Sequence, residues 1–139
     1  MKKQNKLFLD LLLYNMKDLI TLEYYNQSLK QKEVLHFSPS LLKGKPRISS
    51  LFVIKLDGES MQDLIQDKSL LVASLDVDTL SDGCLYLLDY ENALWLKKAK
   101  RIKNTFVFVS INKKFSHLVF KEEEIRVVAK VVASFTSYS

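Results

Sequence analysis

The chain has 139 residues, of which 47% are hydrophobic and 27% charged, and this composition is typical of one ordinary globular domain. Its 3 Gly and 2 Pro argue against long disordered linkers, and no segment reaches the ~18 apolar residues that are needed to span a bilayer. The formal net charge of +5 permits a polyanionic partner but does not establish one, because a basic balance by itself carries no specificity.

Two features predict a cytoplasmic protein. The single Cys84 cannot form an internal disulfide, which is typical of a reducing compartment, and its place in a predicted strand favours a buried, inert thiol. The N-terminus carries two lysines before an apolar run, as a signal peptide does. However, Asp10 interrupts that run and no small-residue cleavage site follows it, so we expect no membrane anchor.

The first predicted element is an apolar helix over residues 6–20. Leu7, Leu11 and Tyr14 fall at the three-to-four spacing of a helix, and the segment contains neither glycine nor proline. Further apolar residues widen the stripe, so this helix must bury more than one face, against the body of the protein or against a second subunit.

The following residues alternate between extended and polar segments. Residues 21–25 are predicted to form a short strand, and residues 27–32 an exposed polar segment. Ser38 is placed to cap a short helix whose first position is Pro39, and Gly44 with Pro46 ends that helix.

From residue 51 onwards the pattern changes to short strands rich in β-branched and aromatic residues. The predicted strands cover residues 51–56, 70–73, 84–89, 94–99, 105–110 and 125–135. Residues 81–83 and 90–92 carry turn signals, and residues 61–65 are predicted to form a short helix or turn. Many short strands with few helices predict a mainly β domain with a curled sheet.

Ser60 and Lys97 form a candidate catalytic pair. Ser60 lies in the segment GESM at residues 58–61, and Lys97 lies in the segment LWLKKA at residues 94–99. A serine hydroxyl needs a base to become a nucleophile, and a lysine can be that base only when burial lowers its pKa. The apolar neighbours Leu96 and Ala99 are typical of a half-buried strand, which would supply this burial. The alternative for Ser60 is a helix N-cap without a catalytic role.

These segments resemble the catalytic domain of the LexA, UmuD and phage CI-type repressor family. That family carries G-[DE]-S-M around its serine, an apolar-Lys-[RK]-apolar segment around its lysine, and then S-x-N-x-x-[YF], which matches SINKKF at residues 110–115. The resemblance covers residues 35–135 and implies a LexA-like fold of twisted, curled antiparallel sheets, here with an N-terminal helix. We therefore expect a helix and arm at residues 1–34, with no recognisable helix-turn-helix, and a peptidase domain at residues 35–139.

The resemblance also implies the roles of the site residues. Ser60 would be the nucleophile and Lys97 its base, while the backbone N–H groups of Ser60 and Met61 would bind the oxyanion. Lys98 is the rival base, but adjacent residues of a strand face opposite sides, and the family places the base first in the pair. Because the family commonly dimerises, we expect a homodimer with the predicted helix or residues 125–134 at the contact.

Three departures separate the chain from the family pattern. Gln62 stands where a proline usually follows the serine and methionine, and Lys68 with Ser69 replaces an expected Gly-Asp pair. Family members also cut their own chain at an Ala-Gly or Cys-Gly bond before the serine, and this chain contains neither dipeptide. Residues 24–29 stand where the cleaved loop should lie.

Three functions therefore stay open. The first is a serine endopeptidase domain that acts on itself or on a partner chain, with self-cleavage-type regulation of transcription or of the DNA-damage (SOS) response. The second is a non-cleaving LexA-like module that dimerises or binds a regulatory protein. The third is direct nucleic-acid binding, which no motif indicates but two basic clusters permit: Lys97, Lys98, Lys100, Arg101 and Lys103, and Lys43, Lys45 and Arg47.

The remaining polar residues have simpler interpretations. His36 and His117 lack acidic or amide partners at a recognisable spacing, so we interpret both as surface or core histidines. Glu122, Glu123 and Glu124 are predicted to form a solvated acidic turn. The sequence shows neither metal-ligand spacing nor a phosphate-binding glycine loop, and we expect no metal and no cofactor.

Overall fold

The computed structural model describes residues 19–26, 29–55, 69–110, 114 and 118–136. Within these ranges the chain forms nine β-strands joined by turns and short 3-10 helices, and no α-helix. The predicted mainly β fold is therefore confirmed. None of the helices in the described ranges is long and apolar enough to cross a membrane. Residues 6–18 of the predicted N-terminal helix lie outside the described residues.

The first two strands form a separate antiparallel hairpin. β1 (Ile20–Asn26) pairs with β2 (Gln31–Phe37), and Ile20 lies opposite Phe37 at the buried base of the hairpin. The predicted strand at residues 21–25 is confirmed, whereas Ile20, the predicted end of the helix, begins a strand instead. β2 was not predicted, because its first residues are polar and exposed and lack the apolar alternation that indicates a strand. β2 also runs across the predicted boundary between the N-terminal arm, residues 1–34, and the peptidase domain, residues 35–139.

The other seven strands form one antiparallel sheet in the order β3-β4-β9-β5-β6-β7-β8. They are β3 (Leu51–Lys55), β4 (Leu70–Ser74), β5 (Leu85–Tyr90), β6 (Ala93–Ile102), β7 (Thr105–Val109), β8 (Phe120–Lys121) and β9 (Arg126–Phe135). Six of them confirm predicted strands within a few residues at each end. The two-residue β8 was missed because so short a strand has no periodicity to detect.

β9 lies inside the sheet and carries two irregularities. Its pairing with β4 shifts by one residue at Val132, and its pairing with β5 shifts by one residue at Val128. Such bulges bend a strand and increase its twist, so they curl the sheet as the sequence predicted. β9 pairs with β4 over residues 130–135 and with β5 over residues 126–130, so only Lys130 is paired on both edges.

The turns follow local sequence chemistry. Glu91 and Asn92 connect β5 to β6 with φ angles of 50° and 61°, the left-handed pair that suits a two-residue hairpin turn. The predicted cap is also confirmed, since the Ser38 side chain accepts a hydrogen bond from the Ser40 amide at the start of the 3-10 helix Pro39–Leu41.

The sheet buries apolar side chains on both faces. One face carries a cluster of Leu71, Ala73, Leu87, Leu96, Ala129 and Val131. On the opposite face, the base of the β1–β2 hairpin packs on Val72 and Val132. Further along that same face lies a second cluster, which we call the aromatic cluster: Tyr86, Leu88, Ala99, Phe106, Phe108 and Phe120. The candidate base belongs to this part of the sheet.

Candidate active site

Lys97 lies in the middle of β6 with none of its surface exposed. Side chains alternate along a strand, so Lys97 shares one face with Trp95 and Ala99, and that face packs on the aromatic cluster. Tyr86 lies directly opposite Lys97 on β5 and is also fully buried. The burial that the sequence predicted for Lys97 is therefore confirmed.

Among the described residues, two aromatic rings lie close to the Lys97 ammonium. Its Nζ atom lies 5.4 Å from the centre of the Phe120 ring and 5.5 Å from that of the Trp95 ring. Among the described residues, Nζ has no hydrogen-bond partner. Burial lowers the pKa of Lys97 below its ordinary value of 10.5, because the charged form loses its hydration. A lysine in this position gives up its proton more readily than a surface lysine.

Lys98 is oriented differently. It is half-buried on the opposite face of β6, and its side chain runs past Gly83. Adjacent strand residues cannot both face the aromatic cluster, so Lys98 is directed away from the Lys97 site.

Ser110 is buried and directly follows Val109, the last residue of β7, which pairs with Lys98. The segment SINKKF therefore starts one residue beyond the strand position opposite Lys98. The rest of this segment, apart from Lys114, lies outside the described residues.

Ser60 and Met61 lie outside the described residues, so the dyad and the oxyanion site stay predictions. The structure does define where the segment that carries them is attached. Lys55 at the end of β3 pairs with Leu70 at the start of β4, so residues 56–69 form a connection whose two ends meet. Ser69, at one end, is buried and its hydroxyl lies 2.8 Å from that of Thr136.

Comparison with known families agrees with this geometry. The sequence profile of the family described as Peptidase S24-like matches residues 20–132, most of the chain. The chain belongs to the Peptidase S24-like family. It is thus a serine peptidase-like domain of the LexA/UmuD type. No protein with a curated description matches it.

The histidines of this Peptidase S24-like domain do not join the site. His36 is exposed on the β1–β2 hairpin, where its Nδ1 atom lies 2.9 Å from the Thr21 hydroxyl. The interpretation of His36 as a surface histidine is confirmed, and His117 lies outside the described residues. In the ranges that the structure covers, no group of His, Cys, Asp and Glu side chains is placed to hold a metal ion.

The two basic clusters have different surroundings. Burial removes Lys97 from the first cluster, whose members Lys100, Arg101 and Lys103 are exposed. The second cluster lines a surface cleft of about 500 Å³ together with Lys130. Arg47 in this cleft is already paired with Asp76.

The cleft and the Lys97 site are separate, although both lie on the same face of the sheet. Lys130 in the cleft pairs with Tyr86, which in turn pairs with Lys97. Tyr86, between them, is fully buried, and its hydroxyl accepts a hydrogen bond from the Ser81 amide at 2.9 Å. Lys97 is not among the residues that line the cleft.

Sequence reasoning missed the aromatic residues around Lys97. Trp95 could have been found, because it stands two positions before Lys97 and must share its face. Phe120 carried no such signal, since it approaches through β8, and the sequence does not show which strand neighbours β7.

Proposed function

We propose that this domain is a serine endopeptidase in which Ser60 and Lys97 act as a Ser/Lys dyad. The observation that carries the proposal is the complete burial of Lys97 on an apolar strand. An exposed lysine is protonated at neutral pH and cannot accept a proton, whereas burial shifts its equilibrium toward the neutral amine. Family membership supports the same chemistry.

The proposed reaction is an acyl transfer. The Lys97 amine takes the proton of the Ser60 hydroxyl as its oxygen attacks the carbonyl carbon of a peptide bond. The backbone N–H groups of Ser60 and Met61 stabilise the negative charge that develops on the carbonyl oxygen. The Lys97 ammonium then returns the proton to the leaving amine, and water releases the acyl group by the reverse sequence.

The substrate we propose is a partner chain rather than this chain itself. Self-cleavage in the family uses a small-residue bond, and the exposed tip of the β1–β2 hairpin carries Leu29 and Lys30 at the corresponding place. Large side chains dock poorly in a narrow cleft, so this tip is a poor substrate. Regulation of transcription or of the DNA-damage response is the role that the LexA/UmuD resemblance favours.

A second candidate function is a non-cleaving module that binds a regulatory protein or dimerises. The absence of an Ala-Gly or Cys-Gly bond favours it. In that case Lys97 would persist as part of the inherited core without a reacting partner.

A fluorophosphonate probe separates the two functions, because it labels only an activated serine. We expect labelling of Ser60 in the intact chain, with a rate that rises with pH as Lys97 loses its proton. Ser60→Ala and Lys97→Ala should abolish labelling. Lys98→Ala is the matched control and should label like the wild type, since Lys98 faces away from the site. If Ser60 stays unlabelled at every pH between 7 and about 10, the binding-module function replaces the peptidase.

A further inference from the structure

Two aromatic rings contact the Lys97 ammonium from different parts of the chain. Phe120 and Trp95 lie at 5.4 and 5.5 Å from Nζ, measured to the ring centres. The two rings also pack against each other edge to face at 5.5 Å. Tyr90 also packs on Phe120, with ring centres 4.6 Å apart. We call Trp95 and Phe120 the aromatic clamp.

The sheet holds both rings of the clamp in place. Trp95 shares the face of Lys97 on β6, and Phe120 on β8 pairs with Phe108 on β7. Phe108 in turn pairs with Ala99, the next residue after Lys97 on the same face. Phe120 is 6% exposed, and the Trp95 indole nitrogen is buried without a hydrogen-bond partner among the described residues. Phe120 therefore belongs to the packed interior, and Trp95 is partly buried against the same cluster.

Two physical effects act on the Lys97 proton in opposite directions. Loss of hydration disfavours the ammonium form, whereas the negative faces of aromatic rings attract a cation and favour it. No carboxylate of the described residues pairs with Lys97. Among the described residues, the titratable groups that share the aromatic cluster with it are Tyr86 on β5, Cys84 before β5 and Tyr90, which packs on Phe120. The clamp is thus the attractive partner that the structure shows for the charged form.

We propose that Trp95 and Phe120 are positioning residues that hold Lys97 as an ammonium and so restrain its action on Ser60. The restraint rests on the proposed peptidase function, but the hold on the ammonium does not. A lysine that keeps its proton is unable to activate the serine. The clamp therefore lowers the fraction of molecules that are ready to react at neutral pH, and it fixes where the side chain lies until it is deprotonated.

Ring fluorination tests the clamp without changing its shape. Fluorine withdraws electrons from the ring face, so 3,4,5-trifluorophenylalanine at position 120 weakens the attraction while the packing stays nearly the same. NMR of lysine side chains in the full-length protein gives the pKa of Lys97, and its signal is assigned with Lys97→Met. We expect the pKa to fall by about one unit, which is a roughly tenfold rise in the neutral fraction.

Position 106 provides a matched control. Phe106 belongs to the same aromatic cluster, but the cation over its ring is Arg101, at 5.0 Å. The rings that lie near Lys97 Nζ are those of Trp95 and Phe120. Fluorination there should leave the pKa of Lys97 unchanged. Trp95→Phe, which keeps an aromatic ring with a weaker negative face, should lower the pKa by a smaller amount than fluorination at 120. An unchanged or raised pKa in the 120 variant would overturn the proposal.

A second measurement distinguishes the clamp from the peptidase itself. The pH at which fluorophosphonate labelling of Ser60 becomes half-maximal should fall in step with the pKa of Lys97 in the fluorinated protein. If no labelling occurs in any variant, the peptidase proposal fails, while the NMR result still decides whether the rings hold the ammonium. If Ser60 is labelled but the pH of half-maximal labelling is the same in the wild-type and fluorinated proteins, the proposal that the clamp restrains catalysis is wrong.

Discussion

Lys97 lies directly opposite Tyr86 in the pairing of β5 with β6, and neither side chain is exposed to solvent. The two buried polar groups are compensated differently. The Tyr86 hydroxyl accepts a hydrogen bond from the Ser81 amide, whereas Lys97 Nζ has no hydrogen-bond partner among the residues that the structure describes. A buried polar group without a hydrogen-bond partner costs stability, so we expect Lys97 to lower the free energy of unfolding even with two aromatic rings beside it.

The first prediction concerns this cost. Lys97→Met keeps a long unbranched side chain and removes the charge, so it should raise the free energy of unfolding by about 1 to 3 kcal/mol at pH 7. Urea denaturation measures the change. Lys98→Met is the control and should shift stability by no more than about 0.5 kcal/mol, because Lys98 is only half-buried. A less stable Lys97→Met protein would show that the ammonium is well compensated.

The effect of Lys97→Met on the free energy of unfolding depends on pH, and the difference in proton binding between the folded and unfolded chain gives its direction. The pKa of Lys97 is lowered in the folded state, so between that pKa and the ordinary value of 10.5 the unfolded chain binds more protons. Wild-type stability should therefore gain from rising pH in this window, and the advantage of Lys97→Met should shrink toward pH 10.5. Below the pKa that Lys97 has in the folded protein, the full cost of burying its ammonium is present.

The second prediction concerns self-cleavage. The wild-type chain should keep its intact mass for hours at neutral and alkaline pH, because Leu29 and Lys30 are too large for a small-residue cleft. The double substitution Leu29→Ala and Lys30→Gly should allow slow cleavage, detected by mass spectrometry. Glycine also suits position 30, where φ is 52°. Adding Lys97→Ala or Ser60→Ala should abolish the fragment. An engineered chain that stays whole at every pH would favour the binding-module function.

The third prediction concerns the ion pair between Arg47 and Asp76. Arg47 Nε donates to Asp76 Oδ2 at 2.7 Å, and this hydrogen bond holds the pKa of the Asp76 carboxyl below its ordinary value of 3.8. The stabilisation is present above pH 3.8 and is lost as the pH falls through the lower, folded pKa. The difference in melting temperature between wild type and Asp76→Asn should therefore be largest near neutral pH and vanish in strong acid.

Two controls support that comparison. Asp78→Asn removes a negative charge from the same cleft without breaking the Arg47 contact, so its effect should be smaller than that of Asp76→Asn. High salt should reduce the effect of Asp76→Asn, because both partners are partly exposed. An equal loss in both variants would mean that the paired geometry contributes nothing.

The fourth prediction concerns association. We expect sedimentation to show a homodimer at high micromolar concentration, with the apolar segment 6–20 at the contact. Leu11→Asp should weaken the dimer, whereas Lys100→Asn, which changes the net charge by the same amount at an exposed site on β6, should not. A wild-type protein that is only monomeric at these concentrations contradicts the prediction.

Local patterns predicted most of the sheet but not its order. The strands over Leu51–Lys55, Leu85–Tyr90 and Thr105–Val109 follow from β-branched and aromatic content between turn signals. β2 and β8 escaped detection because one begins with exposed polar residues and the other has two residues. The bulges at Val128 and Val132 were equally hidden, since a register shift depends on the partner strand.

The sequence by itself determined that only one of Lys97 and Lys98 can face the site, because adjacent residues of a strand point to opposite faces. The choice of Lys97 came from the resemblance to the family segment, which places the base first in the pair. Only the tertiary structure decided what surrounds Lys97. Tyr86 and Phe120 reach it because β5 pairs beside β6 and β8 lies beyond β7. Contacts between distant residues depend on strand order and register, which local sequence does not encode.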